Sequence, residues 1–102
     1  MSSYSLRVKQ RQYYSLLDSV RSTLSYVTSA NNSIGDCNCI NSYYVVDGSA
    51  ADHNVIGNAG NETYNMMVTL RDQVIPWIEN KIRRLENQIS EADAEEAAAA
   101  SA

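Results

Sequence analysis

Two cysteines and one histidine are the side chains of this sequence with the clearest potential for metal or redox chemistry. Cys37 and Cys39 stand in the segment DCNC, and His53 is the only histidine. A structural zinc site needs four ligands, and no second cysteine pair or histidine cluster accompanies this pair. On a helix, two side chains at this spacing point to nearly opposite sides. We therefore expect no catalytic residue, metal ligand or cofactor, and a small redox or metal protein is the weakest alternative.

Other common arrangements for catalysis are also missing from the sequence. It has no glycine-rich phosphate loop and no nucleophile with a base beside it. A chain of 102 residues forms one domain with a modest core, so a large enzyme cleft is not expected. The formal charge of −4 argues against a nucleic-acid module. We predict a protein that is not an enzyme.

No segment of the sequence is typical of a membrane span or a signal peptide. Apolar residues never run for the ~18 positions that a spanning helix needs, and the first residues, MSSYSLRVKQ, contain no apolar core. We expect synthesis in the cytoplasm, with any export using another route.

The first half of the chain carries the periodicity of a helix that packs along a narrow seam. Steps of four and three residues separate its apolar side chains, which is the a/d spacing of coiled coils. The seam residues are Leu6, Tyr13, Leu17, Val20, Leu24, Val27 and Ile34. This pattern predicts a first helix over about residues 4–42.

The second half has a similar seam with one interruption. Its residues are Thr63, Met67, Leu70, Val74, Ile78, Ile82, Leu85, Ile89 and Ala92. Three successive steps of four, from Leu70 to Ile82, surround Pro76. A proline inside a helix removes one hydrogen bond and crowds the carbonyl four residues earlier. We predict a second helix over about residues 51–95, kinked at Pro76, and a frayed tail over residues 96–102.

Turn signals gather between the two seams, over about residues 43–50. The segment Val46-Asp47-Gly48 ends in a strong turn pair, and Ser49 with Asp52 fits a helix-capping pattern. Val45-Val46 is compatible with a strand, but an isolated strand has nothing to pair with. The sequence therefore predicts an all-α, antiparallel two-helix hairpin as a single domain over residues 1–102.

The pivot and the residues near it give two further expectations. With Gly48 as the pivot, Val20 is expected to face Trp77 and Ile78. The segments 31–36 and 57–60 contain poor helix formers, since glycine costs roughly 1 kcal/mol relative to alanine. We predict a broken, thinly packed tip, with close approach of the helices through small residues as the alternative.

Several apolar residues have no place in either seam. Those that we predict to bind a partner are Tyr14, Leu16, Met66, Ile75 and Trp77. Two helices enclose no core, and aromatic or methionine flanks on such a hairpin often mark a partner surface. The alternative is a packing face within a homo-oligomer.

The order of these features resembles the WXG superfamily of small type VII secretion proteins. Val46-Asp47-Gly48 occupies the place of the Trp-x-Gly turn of that family. The likeness is closest to the small helical proteins encoded beside LXG toxins in Gram-positive bacteria, in which an apolar-Asp/Ser-Gly turn precedes a second helix with a VIPxI run. Here that run is VIPWI, residues 74–78, and the resemblance covers about residues 4–92.

The resemblance implies a WXG-like helical hairpin that acts as a targeting factor or chaperone. Its partner would be the helical N-terminal domain of an LXG-type toxin, with or without a second small helical protein. The export signal of the family is an aromatic residue followed four positions later by an acidic one, but here Val68 follows Tyr64 and Lys81 follows Trp77. The signal would then come from the partner, and the chain would be cytoplasmic or secreted with it. The alternative function is a self-associating structural or secreted hairpin without a dedicated client.

Overall fold

The computed structural model describes residues 2–43 and 50–101 of the chain. Helix α1 spans Ser3–Tyr43, and α2 spans Ala50–Thr69. A π-helical turn, Leu70–Val74, joins α2 to α3, which spans Ile75–Ser101. No strand occurs within these two ranges, so the predicted all-helical class is confirmed there.

The predicted turn is the one part of the fold that these ranges leave out. The turn motif of Val46, Asp47 and Gly48 and the capping residue Ser49 lie outside the described residues, as does the strand alternative at Val45-Val46. We call residues 50–101, which comprise α2, the π-helical turn and α3, the second arm.

The molecule is a narrow rod that measures 81 × 15 × 15 Å. At 1.5 Å per residue, α1 spans about 62 Å and the second arm about 78 Å. Two such elements placed end to end would be much longer than the rod. Helix α1 therefore lies beside the second arm, and it contacts both α2 and α3.

Every residue of the two predicted seams is buried or half-buried. One buried cluster consists of Leu6, Leu85, Ile89 and Ala92, with Tyr13 packed against it. The other consists of Leu17, Ile78 and Ile82, with Val20, Val74, Ile75 and Tyr13 packed against it. The seam residues of α2 and of the second half of α1 are only half-buried. The best-packed part of the rod is thus the half that contains α3.

Polar contacts join the two arms along their length. At one end, the Ser3 backbone N–H donates to Glu96 at 3.0 Å, the Ser3 hydroxyl donates to Asp93, and Arg7 pairs with Asp93 at 2.7 Å. Arg21 pairs with Glu79 at 3.7 Å. Exposed ion pairs contribute little stability, typically less than ~1 kcal/mol. Their use here is to mark which residues of the two arms are neighbours.

A different contact joins the arms in the region that was expected to be broken. The Asn31 side-chain amide donates to the Gly60 carbonyl at 2.9 Å and to the Thr63 hydroxyl at 2.8 Å. Helix α1 runs through residues 31–36 and α2 through residues 57–60, so the prediction of a broken tip was wrong there. A Cβ added at Gly60 would lie 3.4 Å from the Ile34 side chain. The helices therefore approach closely at Gly60, as the alternative expected, although the distance would also admit a Cβ in van der Waals contact.

The interruption of the second seam coincides with the π-helical turn before Pro76. The Ile75 N–H bonds to the Leu70 carbonyl, five residues earlier, instead of four. In a regular α-helix the Pro76 ring would crowd the carbonyl of Asp72, and a wider turn relieves that crowding. The wider turn also takes up one extra residue, which explains why the seam advances in steps of four here. A bend of the helix axis at Pro76 stays a prediction.

The far end of the second arm is helical through Ser101, and its residues from Ala94 onward are exposed. The predicted fraying of residues 96–102 stays a prediction. Within the ranges 2–43 and 50–101, no helix has an apolar stretch long enough to cross a membrane.

Candidate interaction surface

Two shallow grooves run along the rod, one on each side of the seam. Apart from seam residues, the first is lined by residues that directly follow an inward-facing position: Tyr14, Asp18, Arg21, Glu79, Arg83 and Glu86. The second is lined by Lys9, Lys81, Arg84 and Gln88, which directly precede a seam residue or, for Lys9, the half-buried Gln10. A further groove continues along this side from Gln88 to Glu91 and Glu95. Successive residues of a helix are rotated by about 100°, so neighbours of a seam residue project to opposite sides. We call the first side the paired flank and the second side the basic flank.

Charges on the paired flank neutralise one another. Both ion pairs between the arms, Arg7 with Asp93 and Arg21 with Glu79, join residues that directly follow a seam residue. Arg71, which follows Leu70, donates hydrogen bonds of 2.8 and 3.0 Å to the Asp72 carboxylate. These bonds lower the pKa of Asp72 and raise the pKa of Arg71. The arginines of these pairs are therefore already matched with carboxylates.

The basic flank carries cations without such partners. Lys9 and Arg84 are exposed and Lys81 is half-buried. Among the described residues, none of the three lies within 4.0 Å of a carboxylate oxygen. The Lys81 ammonium instead lies 5.6 Å from the centroid of the Trp77 ring. A cation–π contact at an exposed site contributes only ~0.5–1 kcal/mol, so the charge stays available to another molecule.

Trp77 lies at the junction between the seam and the basic flank. Its ring centroid is 6.2 Å from that of Tyr13, with an angle of 63° between the planes. The residue keeps 52% of its surface exposed, whereas the next residue, Ile78, is fully buried. Val20 packs against the cluster that contains Ile78. The facing of Val20 with Trp77 and Ile78 stays a prediction, and the described aromatic contact of Trp77 is with Tyr13.

The residues predicted to bind a partner fall into three environments. Leu16, Met66 and Trp77 each directly precede a seam residue, which assigns them to the basic flank, and they are 42%, 52% and 52% exposed. Tyr14 is 47% exposed but lines the paired flank. Ile75 is half-buried and packs against the cluster of Leu17, Ile78 and Ile82. Their role in binding stays a prediction, but only three of the five share a surface.

Residues that were not predicted extend the basic flank. Tyr26 precedes Val27 and is 80% exposed, and Val55 precedes the half-buried Ile56 and is 67% exposed. The predicted partner surface consisted of apolar residues outside the seams, and none of them was assigned to a side of the rod. The cations Lys9, Lys81 and Arg84 were therefore not predicted as part of it. The sequence held a signal for Tyr26, Lys81 and Arg84, which directly precede a seam residue. It held none for Lys9 and Val55, because the half-buried residues that follow them belong to neither predicted seam.

The residues considered first for metal or redox chemistry add no contacts to these flanks. Cys37 and Cys39 belong to α1, and His53 and Asp52 belong to α2, but their side chains lie outside the described part. Among the side chains that the structure describes, no three His, Cys, Asp or Glu form a group suited to a metal ion. The expected lack of a metal or cofactor stays a prediction.

Comparison with protein-family models, with curated proteins and with solved structures found no match to this chain.

Proposed function

We propose that this chain is a non-enzymatic targeting factor or chaperone, which binds the helical N-terminal domain of an LXG-type toxin for type VII secretion. The observation that carries the proposal is the row of exposed apolar side chains on the basic flank, with Leu16, Met66 and Trp77 between 42% and 52% exposed. A rod of two helices cannot cover such a row from within. Packing against helices of another protein would cover it.

The proposal includes an antiparallel hairpin as the form that binds. It is supported by contacts that pair the beginning of α1 with the end of α3, such as Arg7 with Asp93, and a later part of α1 with α2, such as Asn31 with Thr63. In the proposed hairpin, residue numbers rise along one arm as they fall along the other. Both apolar seams are used inside the rod, which leaves the flanks for a partner.

A bend of the second arm at Pro76 is also part of the proposal. The π-helical turn at Leu70–Val74 and the proline just after it are two features that commonly bend helices. Trp77 directly follows the proline. A change of direction here would tilt the two halves of the basic flank toward a partner helix.

In this proposal the chain meets its client in the cytoplasm and contributes helices to a shared bundle. A second small helical protein is compatible with this bundle, since the rod has a flank on each side. The client supplies the export signal that this chain lacks between Tyr64 and Lys81, and the chain then leaves the cell with it.

Reconstitution with an LXG-type toxin from the same bacterium tests the proposal. The full chain and the N-terminal helical domain of that toxin are produced separately, mixed, and analysed by size-exclusion chromatography with light scattering and by calorimetry. A stoichiometric complex supports the proposal. Failure to form a complex, also with the second small helical protein present, would end it.

The alternative function, a self-associating hairpin, uses the same exposed row. It predicts that the chain alone forms a dimer or a larger oligomer that covers Trp77. Sedimentation of the free chain and quenching of its Trp77 fluorescence distinguish the two proposals. In a free targeting factor, Trp77 is expected to remain accessible to a soluble quencher.

A further inference from the structure

We infer that the segment that docks on the basic flank is an amphipathic helix of another protein, with its apolar seam bordered by carboxylates. This inference rests on the proposed function and adds to it the face that is used and the chemistry of the bound segment. It follows from the distribution of charge over the two flanks and from the exposure of the apolar side chains on the same flank as the cations.

Charge in one groove of the basic flank is unbalanced, although the whole chain is acidic and the next groove along this flank is lined by Glu91 and Glu95. The chain has a formal charge of −4, yet the groove beside Tyr13 is lined by Lys9, Lys81 and Arg84 with no carboxylate. Covering an unpaired cation with protein is costly unless the incoming surface provides an acceptor. A partner with carboxylates at matching positions avoids that cost, and Arg84 offers a planar fork that suits them.

The apolar residues on the same flank suit a helix. Leu16 on α1 and Trp77 on α3 both border the seam, and the half-buried Tyr13 contacts the Trp77 ring and lines the groove of the cations. Side chains at i, i+3, i+4 and i+7 of an amphipathic helix anchor in a groove of this kind. Its flanking positions would then lie above Lys81 and Arg84. Aromatic and arginine residues at such sites commonly carry much of the binding free energy.

The paired flank is a poorer match for the same ligand. Of the two arginines in its groove, Arg21 already contacts Glu79, and Asp18 and Glu86 line the same groove as Arg83. A second copy of the chain is disfavoured in the groove of Lys9, Lys81 and Arg84. A two-fold contact centred on the cations would bring Lys81 and Arg84 against the same residues of the other copy, and like charges in contact oppose association.

Two synthetic helical peptides without tryptophan test the inference on the full-length chain. Both carry the same leucine seam, but one has glutamate and the other lysine at the bordering positions. Binding is followed through the fluorescence of Trp77, the single tryptophan. The glutamate peptide should bind roughly tenfold more tightly at low salt, with the difference shrinking as salt is added. Equal affinities, or binding of neither peptide, would overturn the inference.

Adjacent arginines provide matched variants. Arg84→Glu changes the basic flank, and Arg83→Glu makes the same charge change on the paired flank. Both positions are exposed, so each variant should keep the helical circular dichroism of the parent chain. Arg84→Glu should abolish the preference for the glutamate peptide, whereas Arg83→Glu should leave it intact. Equal losses in the two variants would mean a general effect of net charge and would overturn the assignment to this flank.

The same variants separate this inference from the proposed function. A toxin domain that binds the Arg84→Glu variant as tightly as the parent chain would leave the proposed function standing and overturn the inference. If binding of the glutamate peptide requires Arg84 but the toxin domain does not bind, the inference would stand and the proposed function would be overturned. A dimer of the free chain that shields Trp77 would mean that a second copy occupies the flank, and it would overturn the inference as well.

Discussion

At the scale of single residues, the contrast between Trp77 and Ile78 determines which surface is available. Ile78 is fully buried between the arms, and Trp77 is 52% exposed beside it. Both are large and apolar, so residue type alone could not assign one to the interior. The assignment depends on where the seam lies after the π-helical turn. In the sequence, the only sign of that turn is three successive steps of four between seam residues. Ile75 was predicted to bind a partner at the surface, but the position of the seam after this turn leaves it half-buried.

Trp77→Ala is expected to weaken binding of the toxin domain much more than it weakens the fold. An aromatic anchor that becomes covered in a complex commonly contributes ~2 kcal/mol or more, so we expect at least a tenfold loss of affinity, about 1.4 kcal/mol. Because half of the side chain is exposed in the free chain, its loss removes only part of a buried contact. Calorimetric titration and thermal melting of the same variant measure the two effects.

Tyr14→Ala is the matched control for this substitution. The exposed fraction of Tyr14, 47%, is similar to that of Trp77, but Tyr14 lines the paired flank. If only the basic flank is used, the affinity of the Tyr14→Ala variant for the toxin domain should be within about twofold of that of the parent chain. A loss as large as that of Trp77→Ala would show that both flanks are covered and that partner helices lie on each side.

At the scale of helices and turns, much of the packing could be predicted because it follows from periodicity. All residues of both seams were identified from their spacing, and all are buried or half-buried. Residues 31–36 could not be predicted correctly because their helix propensity is poor. There the tertiary contact of Asn31 with Gly60 and Thr63 supports the helices. The π-helical turn could not be derived either, since a proline in a helix is compatible with a kink, a break or a wider turn.

Gly57→Ala and Gly35→Ala are expected to stabilise the protein. Both glycines are helical, no described residue has a positive φ, and an added Cβ would meet no atom within 4 Å. Alanine is favoured over glycine in a helix by roughly 0.5–1 kcal/mol, so each variant should melt a few degrees higher. Circular dichroism melting checks this. Gly60→Ala is the comparison, since its Cβ would touch Ile34. A lower melting temperature for Gly57→Ala would indicate that α2 is not helical there in solution.

At the scale of the whole molecule, the two sides of the rod differ in how their charges are arranged. On one side ion pairs join the arms, and on the other a groove lined by Lys9, Lys81 and Arg84 continues into one lined by Glu91 and Glu95. The match of charges between the arms was partly foreseeable, since basic residues begin α1 and acidic residues lie near the end of α3. The network of Ser3 with Asp93 and Glu96 was not, because a serine gives no sequence signal for an inter-arm contact.

Cross-linking within one chain tests the direction of the two arms. In a background with Cys37 and Cys39 replaced by serine, Arg7→Cys with Asp93→Cys should react with a short bismaleimide to give an intramolecular product. These residues pair at 2.7 Å in the native chain. Arg7→Cys with Glu62→Cys should not react, since Glu62 lies about 45 Å further along the second arm. Mass spectrometry of the monomer distinguishes the products. The reverse pattern would contradict the antiparallel hairpin.

The most direct test of the central claim, that a partner covers the basic flank, is the fluorine NMR signal of this chain labelled with 5-fluorotryptophan. The chain has one tryptophan, so the label reports on Trp77 alone, and an unlabelled toxin domain adds no signal. On forming the complex, we expect the resonance to shift and to lose its solvent isotope effect as the half-exposed ring becomes covered. An unchanged resonance in a complex that has formed would contradict the claim.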